Sequence, residues 1–308
     1  MTNTGDAAVG GAKIGVIFSG QGFDVSQVRD FDARLDRYPV VKTQYEAVFE
    51  RACPSSENCD FSLNENSVLA LLLSAFDVDR VNSELRDQAV AASGYSVGFY
   101  LALWYAGVLD EASVARLLFG RCRAMNEAAA GSASSMLVIL GLPISRVEQM
   151  IPEFMASRSG VLCVSNENAP GNVTVGGNRD AVLGFGAFAM QHGAYKTVPL
   201  ATSGAWHTPI MEPATGALDN LLNRETFNAS SLPLIENVSA AQFPRDFAAR
   251  SELLKKHLWQ PVRWTQCIKA MIALGVTEFV ELTDFDMLTK LGPGISRRLA
   301  FRSAGQSG

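Results

Sequence analysis

The stretch QAVAASGYSVGFYLALWYA, residues 88–106, decides the fold class. Small and apolar residues over 88–92 read as a strand, Gly94-Tyr95-Ser96-Val97-Gly98 breaks it, and an apolar helical pattern follows over 97–106. Strand, glycine-flanked turn and helix in that order make a unit of a parallel α/β protein. The turn is also the G-x-S-x-G pattern of a nucleophile elbow. Its glycines permit a tight, strained bend that projects the serine hydroxyl from the sheet edge, and the helix start beyond it offers N–H groups to an oxyanion. The pattern alone arises by chance in about one chain of this length in ten. The strand before it and the helix after it carry the reading.

The same rhythm extends outward. A strand over 13–18 (KIGVIF) runs into Ser19-Gly20-Gln21-Gly22, and helical patterns follow over 39–52, 66–76 and 111–129. Between 134 and 200 the order changes: strand 136–140, helix 144–155, strand 161–166, a turn over 168–172, strand 173–175, helix 179–192 and strand 195–200. That βαββαβ order is the ferredoxin-like module. Helix 209–223, strand 234–238, helices 251–258 and 262–273, and strand 278–282 complete the pattern. The expected fold is α/β: an α/β-hydrolase-like large subdomain with a parallel sheet, residues 13–133 and 201–300, interrupted by a ferredoxin-like small subdomain, residues 134–200. A ligand cleft is expected between the lobes.

A chain of 308 residues is long enough to bury a sizeable core without staples. Lys+Arg of 26 against Asp+Glu of 31, a net charge of -5, argues against a nucleic-acid binder that works by bulk charge. Five cysteines lack any framework of regular spacings, with Cys53 and Cys59 the one imaginable pair, and no His cluster joins them for zinc. A reduced cytoplasm and no metal are therefore expected. Residues 1–13 are small and polar, a frayed tail rather than a secretory signal. No window approaches eighteen uninterrupted apolar residues, so a soluble protein without membrane association is expected.

A nucleophilic serine needs a base, and the chain has three histidines. His192 ends a helix, where such residues cap carbonyls. His257 lies on an amphipathic helix before Pro261. His207 occupies the loop Thr202-Ser203-Gly204-Ala205-Trp206-His207-Thr208, where the chain leaves the small lobe, and is the first choice; His257 is the second. Gly20-Gln21-Gly22 lacks the third glycine of a dinucleotide fingerprint, since Val25 occupies that place. The loop could instead bring a backbone N–H to a reacting carbonyl. Arg121, in an otherwise apolar stretch, either pairs with a protein carboxylate or captures a substrate carboxylate.

Taken in order, Gly20-Gln21-Gly22, the elbow at 94–98, Arg121 with Met125, Asn166-Glu167-Asn168-Ala169-Pro170-Gly171-Asn172, Gly204-Ala205-Trp206-His207, Asn237-Val238-Ser239-Ala240 and Pro261-Val262-Arg263-Trp264 resemble the malonyl-CoA:acyl-carrier-protein transacylase family. This family includes the acyltransferases of fatty-acid and polyketide synthases. The likeness spans about residues 13–300. It implies a discrete enzyme that moves a malonyl-type group by a ping-pong route, with Ser96 as nucleophile and His207 as base. It also implies that the N–H groups of Gln21 and Val97 form the oxyanion hole and that Arg121 grips the free carboxylate. The residue whose main-chain carbonyl orients the histidine falls at His257, where the family commonly has Gln.

There are departures: Tyr95 where many members have His, Phe99 for a common Glu, Phe23-Asp24 after Gly22, and Glu281 to Asp286 where a Gly-Pro-Gly turn is frequent. Trp206, bulky where malonyl-selective members often have Phe, would crowd a branched acyl chain and favours malonyl over methylmalonyl. Trp206, Met125, Asn166 and Tyr95 are the expected pocket residues, although Asn166 could equally hold the turn with Asn168. The expected partners are malonyl-CoA as substrate and a phosphopantetheinylated acyl carrier protein, with no cofactor and a monomeric chain. Lys255 with Lys256, or Arg297 with Arg298, could meet an acidic carrier. An editing thioester hydrolase with the same pair, a malonate-decarboxylase-type transacylase and a non-catalytic carrier-docking protein are the alternatives.

Overall fold

A computed structural model describes residues 12–306. Apart from its last two residues, the expected tail over 1–13 lies outside the described residues. Ten strands form two sheets: β1 (Ile14–Phe18), β2 (Ala89–Gly94), β3 (Ser134–Leu140), β4 (Leu162–Ala169), β5 (Asn172–Asn178), β6 (Lys196–Pro199), β7 (Leu234–Ile235), β8 (Val262–Arg263), β9 (Glu278–Glu281) and β10 (Ala300–Ser303). One five-stranded sheet, in the order β10-β9-β1-β2-β7, is parallel throughout. Helices cover both its faces, so its central strand must be apolar on both sides. Val16 and Phe18 of β1 point into a core with Leu69, Leu72 and Phe99, while Ile17 points the other way toward Trp264, Met271 and Phe279. This two-sided burial is why β1 reads as a continuous apolar run rather than an alternation.

The second sheet has the order β6-β3-β5-β4-β8. Its first four strands pair antiparallel, and helices Ile144–Met155 and Arg179–Gln191 pack on one face through Val147, Phe154, Val182 and Phe185. This is the ferredoxin-like arrangement. Its fifth strand comes from the other part of the chain. Val262 and Arg263 pair parallel with Asn166 and Glu167 of β4 and fasten this sheet to the rest of the chain.

That pairing explains one difference from the sequence pattern. Residues 262–273 read as one helix, but Pro261 holds the preceding residue extended, Val262 and Arg263 join the sheet, and the helix is Trp264–Ala273. Residues 209–223 likewise divide, with a 3-10 stretch Pro209–Ala214 ahead of helix Thr215–Leu222. Helices Phe31–Arg37 and Met287–Ile295 and strand β10 have no counterpart in the pattern. Met287–Ile295 contains Gly292-Pro293-Gly294, which reads as a turn. A remote cap sustains it: the buried Glu281 carboxylate accepts the N–H groups of Leu288 and Thr289 at 3.1 and 2.7 Å. The same carboxylate takes the hydroxyl of Ser19, directly after β1. Among the described residues no helix is long and apolar enough to cross a membrane.

Candidate active site

The loops after β1, β2 and β7 all leave the carboxyl edge of the parallel sheet, where open α/β sheets take their ligands. Ser96 stands at the turn after β2 with a left-handed backbone, φ 53°, a sparsely populated state for a residue with a Cβ. A Cβ on Gly94 would lie 2.0 Å from the Gly98 carbonyl carbon, and one on Gly98 would lie 2.4 Å from the Phe18 carbonyl oxygen. Only glycine lets this elbow close against β1. Asn237, two residues past β7, then pins it. Its Oδ1 accepts the Ser96 N–H at 2.7 Å, and its Nδ2 donates to the Gly94 carbonyl at 2.7 Å.

Nε2 of His207 lies 2.7 Å from Ser96 Oγ. The histidine is itself left-handed, φ 59°, and 3% exposed. Its N–H donates to the Leu258 carbonyl at 3.1 Å, at the C-terminal end of helix Phe247–Trp259. Burial, reinforced by the nearby Arg121 and His257, pushes the imidazole pKa from 6.5 down to about 3, and the main-chain carbonyls of Gln260 and His257 act in the opposite sense. At neutral pH the ring is therefore uncharged and Nε2 can take a proton from the Ser96 hydroxyl.

Arg121 lies within helix Glu111–Ala129 and is 1% exposed. Its Nε finds no acceptor, and among the described residues no carboxylate pairs with it. The Tyr100 ring, 5.9 Å from Cζ, is a weak partner for a whole charge. Of the two sequence readings of Arg121, the internal ion pair is absent. A buried guanidinium left this way is a costly arrangement unless an anion completes it.

Val97 follows the serine in the elbow, and Gln21 stands in the β1 loop, where the neighbouring Gly20 approaches Tyr95. The Gln21 side chain donates to the Asn64 carbonyl at 3.1 Å and to Asn64 Oδ1 at 2.5 Å, which steadies the loop. The Tyr95 hydroxyl donates to Asn168 Oδ1 at 2.6 Å and its ring meets Trp264 edge-on, tying the elbow to the second sheet. Asn168, rather than Asn166, holds the β4–β5 turn, through Asn172 Oδ1 at 2.9 Å and Thr174 Oγ1 at 3.0 Å. Asn166 is a buried β4 residue that accepts the Ser165 hydroxyl. Met125 is buried in the large core and Trp206 packs partly buried against it. His192 faces the Phe188 carbonyl from a helix end, away from this group. Lys255 and Lys256 pair with Asp219 and Glu252, while Arg297 and Arg298 stand exposed.

The sequence reading missed two contributors in the β7 turn. Asn237 appeared there only as part of a motif. Glu236, 1% exposed, accepts the N–H groups of Val238, Ser239 and Ala241 at 2.6, 2.8 and 3.2 Å and the Ser239 hydroxyl. Burial alone would raise its carboxyl pKa, but the facing His257 and these donors outweigh that and hold it down to about 2. A carboxyl followed within five residues by small turn residues was the available signal.

An elbow serine, a neutral histidine against its hydroxyl and an uncompensated arginine beside them define an α/β enzyme of acyl transfer. No family model matches the chain. The malonyl CoA-acyl carrier protein transacylase of Escherichia coli strain K12 is 33% identical over 231 residues, covering 75% of this chain and 72% of that protein. The crystal structure of an acyl carrier protein S-malonyltransferase from Vibrio cholerae superposes with a TM-score of 0.82 at 28% identity, covering 95% and 96% of the two chains. A malonyl-transacylase solved in complex with its type II polyketide synthase acyl-carrier protein matches with a TM-score of 0.82 at 26% identity, over 95% of each chain. The chain belongs to the malonyl-CoA:acyl-carrier-protein transacylase family.

Proposed function

We infer that this protein moves a malonyl group from coenzyme A to the phosphopantetheine thiol of an acyl carrier protein, with Ser96 as the way station. Ser96 Oγ gives its proton to His207 Nε2 and attacks the thioester carbonyl. The N–H groups of Gln21 and Val97 meet the resulting oxyanion. Collapse breaks the C–S bond, and the leaving thiolate takes the proton from His207, leaving a malonyl ester on Ser96. In the second half His207 takes the proton of the carrier thiol, the sulfur attacks the ester, and Ser96 recovers the proton as it leaves. Throughout, the Arg121 guanidinium holds the free malonyl carboxylate. The thioester is substrate, and the chemistry calls for no cofactor.

Arg121 carries this reading. A buried cation without a counter-ion among the described residues, in the same site as Ser96 and His207, suits an acyl group that brings its own negative charge. A hydrolase of monocarboxylic thioesters has no use for it. The proposal extends to the organisation of the chain: a body over 13–133 and 201–300 and a small lobe over 134–200 enclose the site, and the enzyme works as a cytoplasmic monomer. Trp206, Met125, Asn166 and Tyr95 belong to the acyl pocket and its walls.

Intact-protein mass spectrometry after brief exposure to malonyl-CoA, methylmalonyl-CoA and acetyl-CoA tests it. The expected result is a malonyl adduct that disappears in Ser96→Ala and weakens in Arg121→Ala. Acetyl loading without malonyl loading would overturn the assignment of Arg121, and no adduct from any donor would overturn the acyl-enzyme.

A further inference from the structure

The two halves of the Ser-His pair come from elements far apart in the chain, and one buried side chain touches the supports of both. Glu236 anchors the β7 turn through four donors, and the adjacent Asn237 pins the Ser96 backbone on both sides. On its other side the Glu236 carboxylate faces His257, with Oε2 3.5 Å from Nε2. His257 is 2% exposed, and among the described residues neither ring nitrogen has a hydrogen-bond partner in good geometry, so the Glu236 carboxylate at 3.5 Å is the polar group its Nε2 faces. Phe99, three residues past Ser96, sets its ring at 55° to the imidazole with centroids 5.0 Å apart. The helix turn that carries His257 gives its Leu258 carbonyl to the His207 backbone N–H at 3.1 Å, and the main-chain carbonyls of His257 and Gln260 lie near the imidazole, whose Nδ1 has no closer partner among the described residues.

We propose that Glu236 is a positioning residue of the catalytic pair: by holding the His257 side chain it fixes the carbonyl-bearing helix end that orients His207, while its own turn holds Ser96. This rests on the Ser96–His207 reading above. The orienting carboxylate therefore acts one residue removed from the base, through His257 and the backbone, rather than on the imidazole of His207 directly. Charge placement agrees with this. The C-terminal end of helix Phe247–Trp259 carries partial negative charge toward His207, which favours the imidazolium that forms during transfer. The charged and titratable groups around the assembly are Glu236, His257, His207, Arg121 and the buried Cys267, whose thiol donates to the Glu236 carbonyl at 3.2 Å.

A base misplaced by a fraction of an ångström loses rate and not substrate affinity. Glu236→Gln should therefore lower the single-turnover malonyl loading rate by about ten- to a hundredfold, with the half-saturating malonyl-CoA concentration unchanged within about twofold. His257→Gln keeps the main-chain carbonyl but loses the ring that Glu236 holds, and should fall in the same direction. If the two act as one unit, the double variant is no slower than Glu236→Gln alone.

With only three histidines in the chain, nitrogen-15 histidine NMR gives a second readout that needs no turnover. Wild-type His207 should be a single tautomer with the proton on Nδ1, and both single variants should show a mixture. Multiplicative losses in the double variant would overturn the proposal. So would a pure His207 tautomer with wild-type loading in His257→Gln, which decides the matter even if Glu236→Gln does not fold. Failure of the wild type to load malonate would count against the function, while the tautomer comparison would still test the linkage.

Discussion

Replacing Arg121 by alanine should invert the preference of the enzyme among acyl donors. The guanidinium is almost fully buried, pairs with no carboxylate among the described residues, and leaves Nε without an acceptor. A malonyl carboxylate would complete it with charge-assisted, bidentate hydrogen bonds. Removing one partner of such a buried pair costs about 2–5 kcal/mol. Taking about 3 kcal/mol, and one decade in rate per 1.36 kcal/mol, kcat/KM for malonyl-CoA should fall by roughly two decades. Acetyl-CoA brings no carboxylate and loses nothing from that pairing, so its loading should hold steady or rise. The two donors are compared by stopped-flow or rapid-quench loading, each at sub-saturating concentration. Equal losses for malonyl-CoA and acetyl-CoA would refute the reasoning, because a shared loss means that Arg121 supports the fold or the pair rather than the carboxylate.

Other outcomes follow from the same geometry. With the His207 pKa near 3 in the free protein, kcat/KM for loading should stay flat from pH 8 to about pH 5, where an ordinary histidine would already have cut it; an acid limb near 6.5 would contradict the burial argument. The same residue binds a proton more readily when unfolded, so its contribution to stability is complete above pH 6.5 and is lost toward pH 3, at roughly 1.4 kcal/mol per pH unit. Denaturant titrations of wild type and His207→Gln at pH 7 and pH 5 should differ by that slope. Gly98→Ala drives a Cβ against the Phe18 and Ser19 carbonyls and should cost about 1–3 kcal/mol together with loss of loading. Gly216→Ala, in helix Thr215–Leu222 with nothing within 4 Å, should instead gain about 0.4–1 kcal/mol and leave loading intact.

The parts of the molecule that sequence makes legible are those written locally. The elbow declares itself because both glycines serve one turn within five residues, and the small lobe because its βαββαβ order is contiguous. Ser96 and His207 could be paired across 111 positions only because the chain has so few histidines. What stays hidden depends on distant partners. Val262 and Arg263 become a strand because β4 offers them an edge, and Met287–Ile295 persists as a helix because Glu281 caps it from another element. Glu236 carries no motif, and its importance lies in His257 and the β7 turn meeting on either side of it. Arg121 is ambiguous in sequence for the same reason, since the lack of a counter-ion among the described residues shows only in the folded chain.

The most direct test of the account is the fate of the malonyl group once it sits on Ser96. Purified malonyl-enzyme would be mixed with phosphopantetheinylated carrier protein, with the same carrier lacking its thiol arm, or with buffer, and both proteins followed by mass over time. The account predicts rapid loss from the enzyme matched by gain on the thiol-bearing carrier, with slow loss in the other two mixtures. Equally fast loss to free malonate in all three would contradict it, and would make the protein a hydrolase.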